Sequence, residues 1–147
     1  MLVNREDVLQ YIPQRMPIVV VHGLTEHSET SSTSIFYVEE DHLFVREGKF
    51  LHSGLMENIA QTSALRSGYH FSQLVPVEGE VPEPPIGFIG ALKNFIVTDL
   101  PSVGSALYTT VTVTYEVMGM QVVEASVKCG RNVIASCEMK IFLSQGD

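Results

Sequence analysis

From Leu107 to Leu143, apolar and polar side chains alternate with a period of two. Leu107, Val111, Val113, Tyr115 and Val117 share one parity, and Tyr108, Thr110, Thr112, Thr114 and Glu116 share the other. Val123, Ala125, Val127 and Cys129 oppose Glu124, Ser126 and Lys128. Val133, Ala135, Cys137, Met139, Ile141 and Leu143 oppose Ser136, Glu138 and Lys140. This pattern predicts three antiparallel strands with one wet face. Met118-Gly119-Met120 and Gly130-Arg131-Asn132 are the expected turns.

The period changes in Ser53–Tyr69. Leu55, Met56, Ile59, Ala60 and Ala64 recur at three- and four-residue spacing, which marks a helix with one buried stripe. Ser53 is the expected N-cap and Gly68 the expected C-cap. Ala60, Ser63, Ala64 and Ser67 keep the middle of the helix thin, so another backbone can come close. This is the one long helix in the pattern, and the sheet must pack on it.

Ahead of it, Asn4 to Tyr11 reads as a short helix with Val8, Leu9 and Ile12 on its apolar side, ended by Pro13. Ile18-Val19-Val20-Val21 is β-branched and predicts a strand running toward His27. Ser28 to Ser34 is an exposed strand or a turn. Ile35-Phe36-Tyr37-Val38 is a second strand, and Glu39-Glu40-Asp41 an acidic turn. The loop His42–His52 carries apolar side chains, two histidines and a glycine, and is expected to line a pocket at the helix N-terminus.

Behind the helix, Pro76 to Pro85 holds four of the seven prolines and predicts an extended, exposed crossover. Ile86 to Val97 is apolar on both parities and is expected to be buried on both faces. Its Gly87 and Gly90 suggest close approach of another chain or a ligand. The elements together make an α+β chain, one domain over residues 1–147.

Composition narrows the function. The net charge of −8 argues against nucleic acid and anionic membranes as partners. No apolar run suits a bilayer span, and the acidic start lacks a signal core, so a cytoplasmic protein is expected. Cys129 and Cys137 fall on adjacent strands, with Cys129 facing a residue close to Ile134, which predicts two free thiols. There is no phosphate loop, dinucleotide glycine fingerprint or Gly-x-Ser-x-Gly elbow. The five histidines show no metal-ligand spacing, and His22, His27 and His70 read as scattered core or surface residues.

One residue on the helix draws attention. Glu57 lies near the helix start, where the macrodipole alone stabilises an acid. Flanked by Leu55, Met56 and Ile59, it is also a carboxyl group for a partly dry pocket, where it can act as an acid. His52 and His42, at the two ends of the preceding loop, are the imidazoles placed to approach it, within one chain or across a dimer.

The order of elements resembles the hotdog fold, a long central helix wrapped by a curved antiparallel sheet. More narrowly it resembles the 3-hydroxyacyl-acyl-carrier-protein dehydratases, in the branch found in aryl-polyene and flexirubin-type pigment clusters. Glu57, Ala60, Gln61 and Thr62 match that family's E-x-M-A-Q-x helix motif. Arg15-Met16-Pro17 resembles its H-R-x-P, and Pro101 with Gly104-Ser105 resembles its P-x-G-D turn. The resemblance implies a dimer with sheets joined edge to edge and an acyl tunnel at the interface. It also implies a phosphopantetheine-borne substrate, with no other cofactor. It places Glu57 as the acid that handles the leaving hydroxyl, with a histidine as base for the C2 proton.

The family's G-H-F-P-G stretch is Val45-Arg46-Glu47-Gly48-Lys49-Phe50 here, without its histidine. Either His52 or His42 substitutes, or the base is missing. The catalytic candidates are therefore Glu57, His52 and His42. The substrate-binding candidates are Gly54, Gln61, Phe50, Phe88 and Gly90, with the Gly54 N–H polarising the thioester carbonyl. Three functions stay open: dehydration of a 3-hydroxyacyl thioester, thioester hydrolysis with Glu57 activating water, and a catalytically impaired acyl-binding subunit. Expected partners are an acyl carrier protein or acyl-CoA. The expected assembly is a homodimer or larger homo-oligomer, or a heterodimer with a related subunit.

Overall fold

The computed structural model describes residues 1–74 and 86–144, so the crossover expected at Pro76 to Pro85 lies outside the described residues. A 3₁₀ turn (Arg5–Gln10) leads through a bent connector into an extended strap, residues 18–22. Strands β1 (Gly23–His27) and β2 (Ser31–Tyr37) follow. A small hairpin, β3 (Val45–Arg46) and β4 (Lys49–Phe50), precedes the helix α1 (His52–Ser72). The chain then runs through β5 (Ile86–Val97), β6 (Ala106–Val117), β7 (Met120–Cys129) and β8 (Asn132–Ser144). The large sheet is antiparallel, in the order β1-β2-β6-β7-β8-β5, and α1 lies on it.

The helix separates two apolar clusters. Leu55 and Ile59, in its first half, are fully buried against Phe36, Phe50, Leu107, Val111 and Val127. Leu65, in its second half, packs with Val3, Val8, Ile12 and Leu24 from the N-terminal segment. The strap alternates between them: Val20 enters the first cluster, Val19 and Val21 the second. Between the clusters runs a polar seam, in which Ser34 bonds to Thr62 at 2.7 Å and Thr109 donates to Asn58.

Several sequence expectations are corrected. The N-cap is Leu51, without a side-chain bond, not Ser53. Gly68 does not end α1; it lies inside it, because a Cβ there would overlap the Tyr11 carbonyl. Close approach of the Tyr11 backbone, not termination, sets that glycine. The run Ile18 to Val21 is extended but joins no strand ladder. Two bulges shift side-chain parity, as an extra residue in one strand must. The irregularity between Val113 and Tyr115 turns Tyr115 and Val117 outward, at 57% and 42% exposure, and pairs Glu116 with Gln121. The one between Val127 and Lys128 leaves Val133 exposed and Ile134 buried. Cys129 pairs with Asn132 rather than near Ile134, and Cys137 with Ala125, because the turn closes over two residues. Both thiols are free, as expected.

β5 is not buried on both faces in the single chain. It has β8 on one side, no strand on the other among the described residues, and Phe88, Ile89 and Ile96 are exposed.

Candidate active site

The site is built from the peptide of Val20 and one stripe of α1. Only His22 of the strap reaches a strand, its N–H donating to the Ile35 carbonyl of β2 at 2.7 Å, yet the buried backbone groups before it also need partners. Helix side chains supply those of Ile18 and Val20. Gln61 accepts from Val20 N–H at 2.7 Å, and Asn58 donates to the Val20 carbonyl at 2.8 Å. Gln61 also donates to the Ile18 carbonyl at 3.1 Å. Two amides three residues apart on one helix face thus act as a substitute strand edge. Both are fully buried.

Gln61 carries this order to Glu57. Its Nε2 donates to Glu57 Oε1 at 3.0 Å, one helical turn away. Glu57 is half-buried. It has no histidine among its hydrogen-bond partners among the described residues. Gly54, in the first turn, has a backbone N–H outside the helical ladder by position. It is a glycine because a Cβ would come within 2.6 Å of the Phe50 ring and 2.9 Å of Phe44 Cβ. Phe50 itself is fully buried against Phe36, ring centroids 5.3 Å apart.

The two candidate bases are placed differently. His52 is the first residue of α1 and exposed. His42 is held at both nitrogens: Nε2 donates to the Val19 carbonyl at 2.9 Å and Nδ1 accepts from Phe44 N–H at 3.2 Å. That bonding fixes the neutral Nε2–H tautomer. His42 lines a separate cavity of about 350 Å³ with Arg5, His22 and Glu39. There His22 is buried, accepts from Tyr37 N–H at Nδ1, and faces Glu39 from Nε2 at 3.3 Å. Burial, then the Arg5 charge, lowers the His22 imidazole to about 4 despite Glu39, so the contact sets a neutral imidazole beside a carboxylate.

A groove of about 330 Å³ starts one turn beyond Glu57. Its floor is the thin face of α1, Ala60, Ser63, Ala64, Ser67 and Gly68. Gly87 and Ile89 of β5 wall it. Phe88 and Gly90 have the opposite parity and meet Phe142: Phe88 is its direct partner on β8, and a Cβ on Gly90 would overlap its ring. Sequence reasoning marked Gly87 for close approach of a chain or ligand and missed Asn58, Ile89 and Ser63 as site residues. The signal for Asn58 was an amide at helical spacing from Gln61 beside an unpaired β-branched run. Among the described residues no three metal-ligating side chains converge, and no helix is long and apolar enough to cross a membrane.

One long helix laid on a six-stranded antiparallel sheet is the hotdog arrangement, and solved structures agree. A subunit of the dehydratase heterocomplex ApeI:P from Xenorhabdus doucetiae matches with a TM-score of 0.78 at 17% identity, over 95% of this chain and 91% of that one. Protein PH1136 from Pyrococcus horikoshii matches with 0.68 at 14% identity, over 93% of each chain. The smu.793 protein from Streptococcus mutans, bound to acetyl CoA, matches with 0.66 at 11% identity, over 90% and 94%. No curated protein matches the sequence. The model of the ApeP-like family, ApeP dehydratase, matches residues 6–147, and the chain belongs to that dehydratase family.

Proposed function

We propose that this chain dehydrates a 3-hydroxyacyl thioester carried on phosphopantetheine, with Glu57 as the acid. The observation that carries the reading is the Glu57 carboxyl group, held by Gln61 on the helix whose next turn, from Ala60, lines a largely apolar groove. In the reaction a base takes the C2 proton and the C–H electron pair forms the C2–C3 double bond. The C3–O bond breaks, and the hydroxyl leaves as water with the proton from Glu57. His42 has both nitrogens engaged within the chain. The base is therefore His52 or a group from a second chain at β5. Membership of the ApeP-like family and the heterocomplex of the ApeI:P relative support a two-chain unit. The carrier is an acyl carrier protein or coenzyme A.

Hydrolysis is the second reading, favoured by the fold shared with a hypothetical thioesterase from Streptococcus pneumoniae solved with coenzyme A. One assay separates them. The chain, alone and with a related hotdog chain, is given 3-hydroxyacyl-pantetheine, and both enoyl absorbance and free thiol are followed. Enoyl product that falls about 100-fold or more in Glu57→Gln supports dehydration. Equal rates in the variant overturn the assignment. Free thiol without enoyl product replaces it by hydrolysis.

A further inference from the structure

Two histidines 43 residues apart in the sequence meet at the far end of α1. His27 closes β1, and His70 lies in the last turn of the helix. His27 Nε2 and His70 Nδ1 are 3.3 Å apart, with the ring centroids 5.5 Å apart. Two imidazoles on one tetrahedral zinc ion, with Zn–N bonds of about 2.0–2.1 Å, hold their ligating nitrogens about 3.3–3.4 Å apart. The spacing is therefore the bite of a metal clamp as well as the length of a hydrogen bond. His70 is exposed, so a small turn of its ring aims both lone pairs at one point.

The surroundings suit a ligand pair. His27 Nδ1 lies 2.7 Å from the Oγ of buried Ser32 on β2. A partner on the second ring nitrogen is what orients a metal-binding histidine and leaves the first nitrogen to coordinate. The Tyr69 ring meets His27 edge-on, centroids 5.0 Å apart, and steadies that imidazole from the side. Because His70 faces solvent, water fills the remaining coordination positions. The nearby charge selects among cations. Arg66 is close enough to lower the His27 imidazole, after burial, and it opposes any ion held by charge alone. Magnesium and calcium bind through oxygen ligands, whereas zinc, nickel and copper(II) favour imidazole nitrogen.

We propose that His27 and His70 form a binding site for one divalent ion of the zinc, nickel and copper(II) class, which staples β1 to the end of α1. His70 is thirteen positions beyond Glu57, about 20 Å along a helix that rises about 1.5 Å per residue, so the ion stands apart from the acid. The two imidazoles meet only in the folded chain, so the ion stabilises the fold. The site is independent of the reaction assigned to Glu57.

The test is calorimetric titration of the full chain, free of any histidine tag, with zinc chloride and, as control, magnesium chloride. One zinc ion per chain is expected to bind, and magnesium is not. His70→Gln changes an exposed side chain and is expected to weaken zinc at least about tenfold; Ser32→Ala, which removes the outer partner of His27, is expected to weaken it about tenfold. Cys129→Ser should leave the affinity unchanged, which sets that thiol aside. At free zinc about 100 times the dissociation constant, the wild-type melting temperature should rise by about 5–10 °C, and that of His70→Gln far less. Electron paramagnetic resonance of copper(II) bound to Cys129→Ser should show two imidazole nitrogens. Absence of zinc binding overturns the proposal and leaves the pair an ordinary hydrogen bond. Equal zinc affinity in His70→Gln, magnesium that competes with zinc, or a single nitrogen on copper each overturns it as well.

Discussion

Gln61 Nε2 donates to Glu57 Oε1 at 3.0 Å while the same side chain bonds Val20 N–H at 2.7 Å and the Ile18 carbonyl at 3.1 Å. The acid is therefore oriented by the residue that fastens the strap to the helix. Support of the fold and positioning of the carboxyl group pass through one buried amide.

Gln61→Leu keeps volume and removes all three bonds. It leaves the buried Val20 N–H without a partner, at about 1–3 kcal/mol, while the carbonyl of the exposed Ile18 can turn to water. A loss of about 1–3 kcal/mol in urea unfolding is expected, together with a change in the pH profile of any Glu57-dependent rate. A variant within about 0.5 kcal/mol of the wild type, the usual range for surface changes, would show that the amide is not the clamp.

Gly68→Ala sets helix propensity against packing. In an open helix the change would gain about 1 kcal/mol. Here the added methyl overlaps the Tyr11 carbonyl, and overpacking costs about 1–3 kcal/mol. A lower melting temperature is expected for Gly68→Ala, while Ser67→Ala, one residue away, should hold or raise it. A stabilised Gly68→Ala would mean that the 3₁₀ turn and its connector shift freely on α1.

The helix and the three-strand meander were legible because each rests on a local period. Leu55 and Ile59 announce a buried helix face, and Val123, Ala125 and Val127 a half-buried strand. What escaped was set by tertiary partners. Ile18 to Val21 has the composition of a strand, and composition says nothing about whether a strand or the amides of Asn58 and Gln61 supply its hydrogen bonds. Tyr115 and Val133 fell on the wrong face because a bulge leaves no mark in the alternation. Gly68 read as a stop because glycine marks both helix ends and close backbone approach. In the site, Glu57 could be singled out from its apolar neighbours. The binding state of His42 depends on Val19 and Phe44, which no spacing brings together.

His22 makes stability fall with acid. Its imidazole titrates at about 4 in the folded chain against an ordinary value of 6.5. Between those two values the unfolded chain binds a proton that the folded chain refuses. The contribution is thus full above pH 6.5 and is lost progressively as the pH drops toward 4, at up to about 1.4 kcal/mol per pH unit. His27 is lowered too, by burial first, so it adds a slope of the same sign. Comparing the wild type with His22→Gln by urea unfolding at several pH values isolates the first term. The variant should lose much of the slope below pH 6.5. Parallel curves would remove His22 from the account.

The open side of β5 predicts association. Twelve residues, Ile86–Val97, pair with β8 on one side only among the described residues. Phe88, Ile89 and Ile96 are 57%, 46% and 56% exposed along that edge. A long apolar edge with unpaired N–H and C=O groups is a template for another strand, and proteins that stay monomeric blunt such edges with charge, proline or a cover. β5 carries Lys93 as its one charged residue and no proline. The chain is therefore expected to sediment as a dimer or larger, alone or only with a related hotdog chain. Ile96→Asp places a charge where the partner strand would lie. It removes about 1.5–3 kcal/mol of apolar burial and adds desolvation, so association should weaken about 100-fold. Circular dichroism should show the sheet and helix of the variant unchanged. A wild-type chain that sediments as a monomer at every concentration, with and without a related hotdog chain, would leave β5 a free edge and take away the second chain as a source of the base.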